Sequence, residues 1–192
     1  DMLLPRLSAL VKAALDGGTP YVQYRNKSAP RALRRAQAAE MLRICRGAGA
    51  KLIINDDVEL AQAVGAAGVH LGREDGSIAA ARARLGPDAI IGATCHASLE
   101  FGRQAIAEGA SYIAFGRFFP SATKPQANPA PLSLIAEAEL LGAPVVVIGG
   151  INPLNLPHLK QAGARCFAIC EAVFGGEDVL ARCRHLLALA QG

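Results

Sequence analysis

Tryptophan is absent from the 192-residue chain, methionine occurs twice, and aromatic residues make up only 5% of it, against 52% hydrophobic residues. A core without large rings has to be filled by Ala, Val, Leu and Ile, the usual stock of parallel sheets covered by helices. No run approaches the roughly 18 uninterrupted apolar residues of a membrane span, and no basic-then-apolar leader opens the chain, which predicts a soluble, cytoplasmic protein. The cysteines, Cys45, Cys95, Cys166, Cys170 and Cys183, are odd in number and lack CxxC spacing. A disulfide framework and a thiolate metal site are therefore not expected, and each reads as a small buried hydrophobe or a free thiol. The net charge of +4 and pI near 9.0 invite a nucleic-acid reading. The arginines, however, are scattered through helical phrases such as RALRRAQ and AARARLG and do not interleave with aromatics, so solvated helix faces are the expectation and a nucleic-acid partner is not. No Ser-His-Asp or Cys-His grouping suggests a triad.

What the chain does have is a repeat. Seven times a short apolar run ends in a polar or glycine-rich corner: PYVQYR into Asn26-Lys27, KLII into Asn55-Asp56-Asp57, GVHL into Gly72-Arg73-Glu74-Asp75, AIIGA into Thr94-Cys95-His96, SYIAF into residues 116–124, PVVVI into Gly149-Gly150, and RCFAI into Cys170-Glu171. Amphipathic stretches lie between the runs and close on a Gly-Ala phrase or a near variant, as in AGAKLI, EGASYI and AGARCF. Glycine suits the left-handed residue that terminates a helix, and a strand follows within two or three positions. Asp57, Ser98, Ser133 and Asn152 read as helix caps. This repeat predicts a single-domain (β/α)8 TIM barrel over residues 1–192. Only seven strands are visible and the chain opens on a helical stretch, so the barrel is expected to lack its first strand.

Parallel strands aim their carboxyl ends at one face, so the corners converge. Asp56 and Asp75 follow consecutive strands, and two carboxylates there can share a hard cation while leaving positions for water and substrate phosphate, as Mg²⁺ requires. Asp57 and Glu74, one residue away, are alternatives. Arg25, Lys27 and Lys124 bring cations to the same rim, and Arg25 stands at period two from Gln23, which places both at the barrel mouth. Ser121, Thr123 and the backbone of residues 116–124 add donors. Gly149-Gly150 and Cys170-Glu171, after the last two strands, form a second anion site of the kind these barrels use for phosphate.

Five motifs carry a specific resemblance: Val22-Gln23-Tyr24-Arg25-Asn26-Lys27, Ile54-Asn55-Asp56-Asp57-Val58-Glu59-Leu60-Ala61, Val69-His70-Leu71-Gly72-Arg73-Glu74-Asp75, Phe119-Pro120-Ser121-Ala122-Thr123-Lys124-Pro125, and Ile148-Gly149-Gly150-Ile151. In this order and spacing they resemble the thiamine-phosphate synthase family, from about Leu3 to the end. That family has a (β/α)8 barrel and joins an aminopyrimidine methyl diphosphate to a thiazole phosphate, releasing pyrophosphate. The resemblance implies that Gln23, Tyr24, Arg25, Asn26, Lys27, Asn55, Thr94 and Lys124 hold the pyrimidine diphosphate, with Mg²⁺ on Asp56 and Asp75. It further implies that Ser121, Ala122, Thr123, Gly150, Cys170 and Glu171 line the thiazole phosphate site. Arg25, Lys27, Lys124 and Thr94 take the catalytic part in a dissociative substitution, while His70 and His96 play structural or supporting parts. Departures from the family pattern are Asn26 for Asp, Thr94 for Ser, Arg117 for Pro, and Glu171 for a small hydroxyl residue. Two other readings stand beside this one: a TenI-like thiazole tautomerase, and a non-catalytic binder of phosphorylated ligands. Exposed Leu and Ala on the helices are compatible with a homodimer.

Overall fold

The computed structural model describes residues 4–120 and 129–192. In chain order its elements are α1 (Leu4–Asp16), β1 (Tyr21–Tyr24), α2 (Arg31–Gly47), β2 (Lys51–Asn55), α3 (Val58–Val64), β3 (Gly68–Leu71), α4 (Ile78–Leu85) and β4 (Ile90–His96). There follow α5 (Leu99–Ala107), β5 (Tyr112–Phe115), α6 (Ser133–Glu139), β6 (Val145–Ile148), α7 (Leu156–Gln161), β7 (Cys166–Ala168), α8 (Glu171–Phe174) and α9 (Val179–Gln191). The seven strands form one parallel sheet in the order β1-β2-β3-β4-β5-β6-β7. All seven strand runs read from the sequence form strands. β4 runs further than expected: Thr94-Cys95-His96, read as a corner, still pairs with β5 through a register shift between Thr94 and His96.

Strand alternation divides the molecule into two environments. Leu52, Ile54, Val69, Leu71, Ile91, Ile113, Phe115, Val145 and Val147 are buried between the sheet and the helices, where they form the hydrophobic core with Ala38, Met41, Ile135 and Leu156. The opposite face mixes apolar and polar residues, the polar ones lying on β1 to β5. Register pairs Gln23 with Ile53, Asn55 with His70, His70 with Gly92, Gly92 with Tyr112 and Thr94 with Ala114, so these residues share the inner side. β1 and β7 end the sheet without pairing to each other, which leaves the place of an eighth strand open among the described residues. Tyr21 on β1 is accordingly 52% exposed. Outside that gap α1 packs on α9, where the Cys183 thiol donates to the Ala14 carbonyl at 3.2 Å.

The punctuation follows the reading in most places. The glycines of the Gly-Ala phrases, Gly49, Gly65, Gly109, Gly142 and Gly163, all take positive φ, from 69° to 103°. Asp57 and Ser98 cap α3 and α5 by accepting from the Leu60 and Phe101 amides. Ser133 does not cap: it is already the first residue of α6, whose cap position is Leu132. Asn152 forms a turn ahead of α7, accepting from the amides of Leu154 and Asn155. Among the described residues no helix is long and apolar enough to cross a membrane.

Candidate active site

The ends of β1, β2 and β3 surround a cleft of about 480 Å³ lined by Asn26, Lys27, Arg34, Asn55, Asp56, Asp57, Val58, Glu59 and Asp75. Its floor is set by one abrupt turn. β2 ends at Asn55 and α3 begins at Val58, so the chain must reverse within two residues. Asp56 makes the turn at φ 65°, with its amide donating to the His70 carbonyl at 2.8 Å on the neighbouring strand. Asp57 is thereby placed to cap α3, and its other oxygen accepts from Arg34 Nη1 at 3.1 Å. Asp56 instead faces the cleft, where its Oδ2 meets Lys27 Nζ at 2.7 Å.

Asp75 enters from the β3–α4 corner, held by the Gly72 amide, which donates to its Oδ2 at 3.0 Å. Burial and the neighbouring Asp56 carboxylate push the Asp75 carboxyl above its ordinary range, and the Gly72 amide and Lys27 offset part of this. Of the four acidic residues considered from the sequence, Asp56 and Asp75 are therefore the pair that come together, while Asp57 is committed to its cap and to Arg34. Two carboxylates that disfavour each other's charge suit a shared hard cation, and the donor set is one Mg²⁺ accepts with water and phosphate oxygens. Among the described residues no group of three or more His, Cys, Asp or Glu forms a self-sufficient metal cage.

The other residues read from the sequence fall in distinct places. Gln23 and Arg25 are exposed at the gap-side end of the sheet; the Cys170 thiol is pushed up by desolvation of its sulfur and by the Glu171 carboxylate, which the Arg25 charge partly offsets. Tyr24 does not face the mouth. It is buried against α2, donating to Gln37 Oε1 at 2.6 Å, because alternation sends it opposite to Gln23 and Arg25. Asn26 turns the same way: its Nδ2 donates to Gln37 Oε1 at 3.0 Å and its Oδ1 accepts from the Ala29 amide at 3.1 Å. That pair of bonds fixes the loop carrying Lys27. Gln37 went unnoticed in the sequence, although it is a buried polar residue on a helix face otherwise made by Ala38, Met41 and Cys45.

Thr94 lies on the inner face within a small polar chain. His70 Nε2 is 2.7 Å from Thr94 Oγ1, and His70 Nδ1 is 2.8 Å from the Tyr112 hydroxyl, with the two rings stacked. Burial holds His70 neutral, with its pKa down at about 4, an effect that Asp56 opposes. Tyr112 was the third member missed, although alternation in SYIAF places it on the inner side. On the far rim, Gly150 at φ 68° packs so closely on Phe119 and Pro120 that a Cβ would strike their carbonyl oxygens. The Asn155 amide group ties down the Gly150 carbonyl at 2.9 Å. Cys170 is exposed at the start of α8, and the Glu171 carboxylate folds back along that helix over Gly175, where a Cβ would collide with it. Ser121, Ala122, Thr123 and Lys124 lie outside the described residues.

Seven parallel strands with paired carboxylates and a lysine gathered at their carboxyl ends define a β/α-barrel fold with a charged rim. Comparison with known proteins narrows this class. The family model described as thiamine monophosphate synthase matches residues 4–173, and the chain belongs to that family. It is 55% identical over 181 residues to the thiamine-phosphate synthase of Chromobacterium violaceum, covering 94% of this chain and 87% of that one. It is 50% identical over 191 residues to the thiamine-phosphate synthase of Saccharophagus degradans, covering 97% and 88%. Among solved structures, the thiamine phosphate pyrophosphorylase of Pyrococcus furiosus superposes with a TM-score of 0.88 at 34% identity, covering 97% of this chain and 92% of that one.

Proposed function

We propose that the chain is a transferase that joins 4-amino-2-methyl-5-hydroxymethylpyrimidine diphosphate to a thiazole phosphate, giving thiamine phosphate and pyrophosphate. The observation that carries this is the corner itself: Lys27, Asp56 and Asp75 meet in one cleft beside Asn26 and Asn55, in a chain of this family. Asp56 and Asp75 would hold Mg²⁺, which when bound supplies charge neutralisation to the diphosphate. Lys27 and Arg25 meet the same phosphates from the β1 side, and Lys124 belongs with them. Their positive charge favours the departing pyrophosphate more than the intact ester, which is where a preorganised site lowers a barrier.

The substitution is dissociative: the bond from the pyrimidine methylene to the diphosphate oxygen breaks, the electron-rich ring bears the cation, and the thiazole nitrogen captures it. No protein nucleophile takes part. His70, held neutral inside the sheet, is a poor general acid or base near pH 7 and instead orients the Thr94 hydroxyl toward the inner space. Gly150 and Cys170, with Ser121 to Thr123, belong to the thiazole phosphate end. Glu171 is compatible with a phosphate there because its carboxylate is seated over Gly175, leaving its backbone to serve the anion. The substrates are ionised metabolites, in keeping with a cytoplasmic enzyme. Leu140 and Leu154, 86% and 85% exposed, offer apolar contacts to a second copy.

The test is a mass-spectrometric assay of the purified chain with both substrates and Mg²⁺, repeated with chelator and with Asp56→Ala. Thiamine phosphate and pyrophosphate that disappear with chelator and in the variant are expected. A folded protein that makes no product, or an Asp56→Ala enzyme of undiminished activity, would sink the reading.

A further inference from the structure

The Lys27–Asp56 pair poses a problem for any cation that uses Asp56. The ammonium lies 2.7 Å from Oδ2, the oxygen Asp56 presents to the cleft, and that position makes it a direct rival for a metal there.

 The two side chains differ in how firmly they are placed. Asp56 is 22% exposed and its backbone is tied to the His70 carbonyl, whereas Lys27 is 57% exposed and reaches its partner on a flexible stem from the β1 side. The carboxylate stays where it is and the lysine can leave at small cost, since a pair this open to water is worth little. Of the carboxylates lining the cleft, Asp57 is committed to its cap and to Arg34 and Glu59 pairs with Arg31 and Arg84, so a lone cation would face Asp56 and Asp75 with an ammonium already among them.

A diphosphate changes this balance. It provides Lys27 with a stronger anionic partner in the same cleft and brings oxygens of its own to a metal. We propose that Lys27 and the divalent cation compete for Asp56, so that the site takes up metal and diphosphate as a unit and only weakly admits the metal alone. This rests on reading the corner as a metal–diphosphate site. It makes Lys27 a positioning residue for the metal as well as a contact for the phosphates. Linkage then requires that whatever draws Lys27 from Asp56 tighten the metal, and that the metal in turn free Lys27 for the diphosphate.

The experiment titrates the full chain with Mn²⁺, following free Mn²⁺ by electron paramagnetic resonance, with and without inorganic pyrophosphate. Lys27→Met is compared with Arg34→Met, which removes the same charge from the same cleft but from beside Asp57. Without pyrophosphate, Lys27→Met should bind Mn²⁺ about three- to tenfold tighter than the unmodified chain, with Arg34→Met changed less than about twofold. With pyrophosphate, Lys27→Met should lose much of that advantage and bind the anion more weakly. Equal or weaker Mn²⁺ binding by Lys27→Met, or equal tightening by Arg34→Met, overturns the competition while Mn²⁺-dependent pyrophosphate binding leaves the site reading intact. Failure of the unmodified chain to bind Mn²⁺ or pyrophosphate in any combination overturns both.

Discussion

Acid should weaken this protein through His70. The ring is 7% exposed, bonded on both nitrogens to the Thr94 and Tyr112 hydroxyls, and its pKa is down at about 4. Both hydroxyls can accept from a protonated ring, so the bonds themselves survive and the cost of protonation is that of burying charge. An unfolded histidine titrates near 6.5, so between about pH 6.5 and 4 the unfolded chain holds a proton that the native one refuses. Stability is full above that window and falls as pH drops through it, by on the order of 3 kcal/mol in all. The assay is urea unfolding followed by circular dichroism from pH 7.5 to 4.5, on the unmodified chain and on His70→Gln. At pH 7.5 the variant should be less stable by about 1–2 kcal/mol, for the hydrogen bond it loses. Toward pH 4.5 that deficit should shrink by about 2–3 kcal/mol and can reverse, because only the unmodified chain meets the protonation cost. Asp75 titrates in both proteins and drops out of the difference. A pH-independent deficit, or an NMR titration placing His70 near 6.5, would refute the reasoning.

Asp75→Asn should remove the charge that Asp56 opposes while keeping an acceptor for the Gly72 amide; it should raise stability by about 0.5 kcal/mol, or about 1–2 °C in a thermal melt, and abolish Mg²⁺-dependent diphosphate binding. A lowered melting temperature would contradict the repulsion. Glu171→Ser should leave thiazole phosphate affinity within about threefold by calorimetry, because the carboxylate already lies over Gly175; tenfold tighter binding would show that Glu171 faces the anion. Gly68→Ala should cost more than about 3 kcal/mol in urea unfolding, since its Cβ would meet the Ile90 backbone across the β3–β4 pairing, which cannot yield as a flexible side chain can.

The seven strands were legible because each has three independent signs: an apolar run, a glycine stop before it and a polar corner after it. β4 shows where those signs fail. Thr94-Cys95-His96 is polar enough to read as a corner, but β5 supplies partners for it, and pairing decides where a strand ends. In the site, the corners carrying Asp56 and Asp75 could be read from the chain, since residues after consecutive parallel strands are neighbours. The direction of Tyr24 was also implicit, because period two sets it opposite to Arg25; assigning it to the substrate followed the motif and overrode the alternation. Contacts such as Tyr24 with Gln37, or Lys27 with Asp56, depend on side-chain reach across a loop and could not be read from spacing.

Asp56 carries a further cost that separates its two roles. At φ 65° it occupies a region that favours glycine, and it does so because β2 and α3 leave two residues for the reversal. Asparagine and aspartate tolerate this conformation better than alanine, and glycine tolerates it best. Asp56→Ala and Asp56→Gly should therefore lose Mg²⁺-dependent diphosphate binding alike, since both lack the carboxylate. They should differ in stability, with the glycine variant about 1 kcal/mol the more stable by urea unfolding. Without the left-handed turn, glycine's greater freedom in the unfolded chain would reverse that order. Equal stability, or an advantage for alanine, would mean that the turn does not hold its left-handed geometry in solution, and with it would go the reason Asp56 points into the cleft while Asp57 caps the helix.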